Sequence, residues 1–156
     1  QDLQTLLYLL AKHKVEYVIV GGEAVIYYGF TRFTGDVDVY YHRSMENCIR
    51  LFNTLLEFWN NDIPGITAKE EFLEAGIIVQ FGVPPNRIDF INTIDGVTFP
   101  LVWKNKITES LKYNDQSIPI YYICLDDLIT NKQKTNRNKD RADLEYLLEL
   151  KRKDNK

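Results

Sequence analysis

Apolar positions recur at helical spacing from Asp2 to Lys14, where Leu3, Leu6, Leu7, Leu9 and Leu10 form one stripe. Asp2 stands where it can cap this helix, and His13 falls near its end as a surface residue rather than a ligand. The period then changes. Val15 to Val20 is a short apolar run that reads as a first strand, the pair Gly21-Gly22 interrupts it, and Gly22 to Phe30 returns to helical spacing. After a connection over Gly29 to Gly35, the stretch Asp36-Val37-Asp38-Val39-Tyr40 alternates acid with apolar residue. Residues two apart in a strand share a face, so Asp36 and Asp38 stand side by side with Val37 and Val39 on the opposite side.

Helical spacing resumes from Ser44 to Trp59, with Ser44 as cap and Ile49, Phe52, Leu55, Leu56 and Trp59 on one side. Asn60 to Gly65 is a turn, and Lys69 to Ala75 fits either a helical turn or a strand. Gly76 to Gly82 and Arg87 to Thr93 read as an antiparallel pair joined through Val83-Pro84-Pro85-Asn86. Val97 to Lys104 is a short helix. Lys106 to Tyr113 and Ile118 to Ile123, on either side of the turn Asn114-Asp115, read as a hairpin or as two separate strands, and two helices cover about 125–151. The fold class is mixed α/β (α+β): a small sheet, mixed or mostly antiparallel, with helices packed on it and the acids on adjacent central strands.

Length and composition bound the answer further. A chain of 156 residues with 45% apolar content suits one globular domain, 1–156. A net charge of −3 and a pI of about 5.4 argue against nonspecific nucleic-acid binding through bulk positive charge. Cys48 and Cys124 lack metal-site spacing, so both are expected as buried apolar residues in a reduced, cytoplasmic setting. No run approaches the roughly 18 apolar residues of a membrane span, and no signal peptide is visible. The first residue is Gln1, which implies a start trimmed from a longer form.

The candidate chemistry lies in the acids. Adjacent like charges on one strand face repel, and a divalent cation with its preference for oxygen ligands removes the conflict. A solvated polar face explains an Asp-x-Asp pair equally well when it stands alone. The glycine pair upstream and a third strand-borne acid downstream, Asp89, favour the metal. Asp89 sits in Arg87-Ile88-Asp89-Phe90-Ile91, where an acid among apolar residues needs either a metal or a cation such as Arg87. Amides at Gly21 and Gly22 can approach an anion closely. Arg32 suits forked phosphate contacts, with an exposed surface pair as its alternative.

Gly21-Gly22, Asp36-x-Asp38 and Asp89 together resemble the nucleotidyltransferases of the DNA polymerase β superfamily in their minimal form. Arg32-x-Thr34-x-Asp36-x-Asp38, and the segment Asn131-Lys132 through Arg137, Lys139-Asp140 and Asp143-Leu144, are similar to the small bacterial subfamily that includes toxin and antibiotic-modifying types. The resemblance implies a nucleotidyltransferase fold and a transferase in which Asp36, Asp38 and Asp89 hold two Mg²⁺, or Mn²⁺ in their place. It implies that Gly21, Gly22, Arg32 and Lys132 contact the phosphates of a nucleoside triphosphate such as ATP, with Asp140 orienting Lys132 and Asp143 structural. Gly22 departs from the serine some relatives carry, which removes one hydroxyl contact. The chain is too short for a separate acceptor domain. The acceptor, a small molecule, an RNA end or a protein side chain, therefore binds this domain, a second subunit or a protein partner.

Two other functional classes account for parts of this pattern. A catalytically silent nucleotide-binding module of a toxin–antitoxin-type complex would bind nucleotide without releasing pyrophosphate; the intact acid set argues against it. A glycosidase pair would need no Mg²⁺, and the i, i+2 acids lie too close together to flank a sugar.

Overall fold

The computed structural model describes residues 2–154. The first helix, α1 (Leu3–Lys12), is capped by Asp2, whose carboxylate accepts the Thr5 amide at 2.8 Å. It is followed by β1 (Tyr17–Val20), α2 (Gly21–Tyr27), β2 (Asp36–Tyr41) and α3 (Met45–Phe58), which Ser44 caps. A 3₁₀ turn at Lys69–Leu73 leads into β3 (Ile78–Phe81) and β4 (Arg87–Ile91). The chain closes with α4 (Phe99–Asn105), β5 (Ile107–Tyr113), β6 (Gln116–Tyr122), α5 (Leu125–Thr135), a 3₁₀ turn at Asn138–Asp140 and α6 (Arg141–Asp154).

The strands form one mixed sheet of six in the order β3-β4-β2-β1-β6-β5. As expected, β3 and β4 pair antiparallel, and β5 and β6 form a hairpin. Its turn residues Asn114 and Asp115 both have positive φ, 47° and 65°, the backbone that suits a two-residue hairpin turn. The pairing of β2 with β4 is parallel, in the register Asp36↔Arg87 and Asp38↔Asp89.

Alternation along the strands divides the core in two. Tyr17, Ile19, Val39, Tyr41, Val79 and Phe90 face α1, α3 and the first 3₁₀ turn. Val18, Val20 and Tyr40 face the other way, against Ala24, Val25, Val102, Leu128 and Leu147. Val37 and Val39 lie with the first cluster, so Asp36 and Asp38 point to the second face, with Tyr40.

Two of the boundaries that differ from the sequence expectation, and the burial of one cysteine, have local reasons. The first strand opens at Tyr17 rather than Val15, because the Val15 amide closes the end of α1 on the Leu10 carbonyl and Lys14 turns the chain at φ 58°. The second helix stops at Tyr27, since Gly29 takes φ 103° and the Phe30 amide turns back to Val25. Cys124 is half-buried, not buried, because its sulfur caps α5 at 3.4 Å from the Asp127 amide. Among the described residues no helix is long and apolar enough to cross a membrane.

Candidate active site

Two parallel neighbours bring the three acids to one place. Asp36 and Asp38 stand on the same face of β2, and Asp89 lies directly across from Asp38 on β4. One oxygen from each carboxylate lies within 4.8 Å of the other two. They line a cleft of about 560 Å³, together with Gly21, Gly22, Arg32, Arg87 and Lys132. That volume lies in the range of small-molecule sites. The structure thus brings all seven sequence-predicted site residues to one cleft.

The acids differ in environment. Burial and the charges of Asp36 and Asp89 push Asp38 up to about 7. Burial and a hydrogen bond with Asp36 likewise raise Asp89. Burial also acts on Asp36, but hydrogen bonds from Asp89 and Arg87 outweigh it and hold that carboxyl below its ordinary value. Three acids that cannot all ionise at ease, with oxygens at ligand spacing, suit a hard divalent cation. The donor set therefore fits Mg²⁺ or Mn²⁺. Either ion is expected to raise the melting temperature of the full chain, by the equivalent of about 2.7 kcal/mol at a hundredfold excess over its dissociation constant. A differential scanning fluorimetry titration checks this, with Ca²⁺-free buffer as the baseline.

The glycine turn sits against the acids. Gly21 has φ 67°, and a Cβ there would collide with the Asp38 carboxylate. A Cβ on Gly22 would lie 2.8 Å from the Thr34 hydroxyl and 3.3 Å from Arg32 Nη1. The turn is therefore packed as closely as glycine permits, and no side chain caps α2, whose first two residues line the cleft. Gly21→Ala is expected to cost about 1–3 kcal/mol through strain at positive φ and to weaken cation binding by displacing Asp38. Urea unfolding and Mn²⁺ calorimetry on the same variant separate the two effects.

The C-terminal helices complete the site through buried charge. Lys132, only 5% exposed, donates to Asp140 at 2.8 Å and lies 3.2 Å from Asp143. Asp143 also accepts from Arg32 Nη1 at 2.6 Å, and Arg137 Nε reaches Asp140 at 2.8 Å. Burial pushes Asp140 up, but the hydrogen bonds and charges of Arg137 and Lys132 outweigh it, so its carboxyl lies below the ordinary 3.8. A depressed carboxylate contributes stability that is complete above its unfolded pKa and is lost as pH falls through the folded one. Stability is therefore expected to decline below about pH 4, and acid titration of Asp140→Asn should show a shallower decline than wild type.

Sequence reasoning treated Arg87 only as a possible partner of Asp89. Its Nε donates to Asp89 Oδ1 at 3.0 Å, and its Nη2 donates to Asp36 Oδ2 at 2.9 Å. The first contact was visible in the i, i+2 spacing; the second depends on the parallel register. The contact of Arg32 with Asp143 spans 111 residues of sequence and left no local signal.

A model of the family described as "Nucleotidyltransferase of unknown function (DUF6036)" matches residues 2–152. The chain belongs to this nucleotidyltransferase family. No curated protein matches it. Among solved structures, the crystal structure of an antigenic nucleotidyltransferase-like protein from Paracoccidioides brasiliensis is similar at 16% identity and a TM-score of 0.49, covering 96% of this chain and 77% of that one. For a member of a nucleotidyltransferase family, the pertinent geometry is that the acids, the glycine turn and the basic side chains face one cleft.

Proposed function

We propose that this chain is a metal-dependent nucleotidyltransferase that moves a nucleoside monophosphate from a nucleoside triphosphate to a hydroxyl acceptor. The observation that carries this reading is the gathering of Asp36, Asp38 and Asp89 within 4.8 Å beside Gly21 and Gly22. When bound, two Mg²⁺ would neutralise phosphate charge and lower the pKa of the attacking hydroxyl.

In this reading Asp36 and Asp38 would be ligands to both ions. Asp89 serves the acceptor side and takes the hydroxyl proton at a carboxylate oxygen, directly or through water. Gly21 and Gly22 offer amides to the phosphates. Arg32 and Lys132 face the same oxygens, held in place by Asp143 and Asp140.

Charge supports the need for metal. The cleft is lined by Arg32, Arg87, Lys132, Arg137 and Lys139, and equally by Asp36, Asp38, Asp89, Asp95 and Asp140. The formal charges cancel, so the side chains alone do not neutralise a triphosphate, whereas two divalent ions would offset its four negative charges.

The acceptor is a small molecule, an RNA end or a protein side chain, met on this domain, on a second copy or on a partner. Incubation of the chain with Mg²⁺ and α-labelled nucleoside triphosphates, offered cell extract, RNA and protein fractions in turn, should move label into one fraction and release pyrophosphate. Binding of nucleotide with no pyrophosphate released in any fraction would instead support a silent module. One observation favours that rival: Arg87 already pairs with two of the three acids.

A further inference from the structure

Arg87 occupies the place where the proposed chemistry wants a cation. It opens β4 directly opposite Asp36 of β2 and two residues before Asp89, on the same strand face as both acids. Its Nε and Nη2 engage Asp89 Oδ1 and Oδ2 at 3.0 and 3.2 Å, and Nη2 reaches Asp36 Oδ2 at 2.9 Å. That is a forked contact to one carboxylate with a bridge to the next. No hydrogen bond joins Arg87 to Asp38. Asp38 faces the Gly21 turn instead, as the collision with a Cβ there shows. The three acids are therefore not equivalent: Asp36 and Asp89 share the hydrogen bonds of Arg87, and Asp38 feels only the charge of Lys132, which is itself bonded elsewhere.

Two basic side chains that line the cleft also differ in freedom. Lys132 is 5% exposed and wedged between Asp140 and Asp143, whereas the Arg87 side chain is 31% exposed. Arg87 can leave its carboxylates along the cleft wall without opening the core.

We propose that Arg87 is a displaceable internal cation that reserves the Asp36–Asp89 position until substrate arrives. Resting on the reading of the acids as metal ligands, the inference is that an ion bound between Asp36 and Asp89 exchanges for the guanidinium, which then turns to the phosphate oxygens. The metal-free acids are thereby kept in register, and the ion on the Asp89 side enters together with nucleotide rather than ahead of it. The effect of Arg87 in this scheme is legible in metal affinity. A scaffold that merely oriented the acids would give the opposite sign, because the acids would splay and bind metal more weakly once it was gone.

The test is Mn²⁺ calorimetry on the full chain as wild type, Arg87→Gln and Arg87→Lys, without nucleotide and with α,β-methylene ATP. Arg87→Gln is expected to bind Mn²⁺ at least tenfold more tightly than wild type in the absence of nucleotide, with Arg87→Lys between them and the difference narrowing when the analogue is present. Equal or weaker binding by a folded Arg87→Gln overturns the proposal and leaves the reading of the acids standing. Absence of Mn²⁺ binding in wild type and both variants, with and without the analogue, overturns the reading of the acids and this inference with it. If Arg87→Gln does not fold, the Arg87 Nε–H resonance of ¹⁵N-labelled wild type decides. It should move on saturation with Mg²⁺ and analogue, and an unmoved resonance overturns the exchange.

Discussion

Asp38→Asn is expected to lower nucleotidyl transfer by about 10³-fold or more while leaving the metal-free protein at least as stable as wild type. The two halves of this result have one cause. Asp38 is the acid least accommodated by the fold: it is half-buried, flanked by Val20 and Asp89 on neighbouring strands, and pushed up by burial and by two neighbouring carboxylates. Replacing its charge with an amide of the same shape removes one member of a repelling set, so folding loses nothing. The same replacement removes a ligand shared by both proposed ions. Label transfer and thermal melting on the same preparation check the pair. Retained turnover would reject the role given to Asp38, and a large fall in melting temperature would show that the carboxylate serves the fold instead.

Lys132→Met should have the largest effect on stability, a loss of about 3 kcal/mol. The ammonium lies between two carboxylates that are 5% and 3% exposed. Without it, Asp140 retains Arg137 and Asp143 retains Arg32, but each keeps a buried oxygen facing an apolar methionine. Urea unfolding would read the loss as a lower midpoint at unchanged slope. Adding Asp143→Asn to Lys132→Met should recover part of it, since the uncompensated charge is gone; the double-mutant cycle measures how far the residues act together. Full additivity would show that the three side chains do not share one network.

How much of this was legible beforehand divides by distance along the chain. Caps, hairpin turns and the face of each acid are local matters, and they follow from side-chain type and strand alternation: Asp2, Ser44, the Asn114-Asp115 turn and the pairing of Asp36 with Asp38 on one face all appear where pattern places them. The gathering of Asp89 with that pair was suggested by family likeness rather than by physics alone. What produces it is the parallel register of β2 and β4, and parallel strands carry no turn signal between them. The contact of Arg87 with Asp36 and the contact of Arg32 with Asp143 depend on the same kind of long-range placement. The early start assigned to the first strand failed for a smaller reason. Val15 is apolar and buried, but its amide is spent on the end of α1, and apolar periodicity does not report where a hydrogen bond goes.

The shared carboxylate of Asp143 has a practical corollary for anyone cutting or splicing this polypeptide. Arg32, on the approach to the acid pair, is anchored among the described residues by Asp143, more than a hundred positions later, and the link that leads into the helix of Asp143, Asn136 to Asp140, is a left-handed cap followed by a single 3₁₀ turn. A protease nick there would leave every proposed metal ligand intact, yet it would untether the arginine and the lysine proposed to meet the phosphates. The expected casualty is nucleotide affinity, with cation affinity preserved.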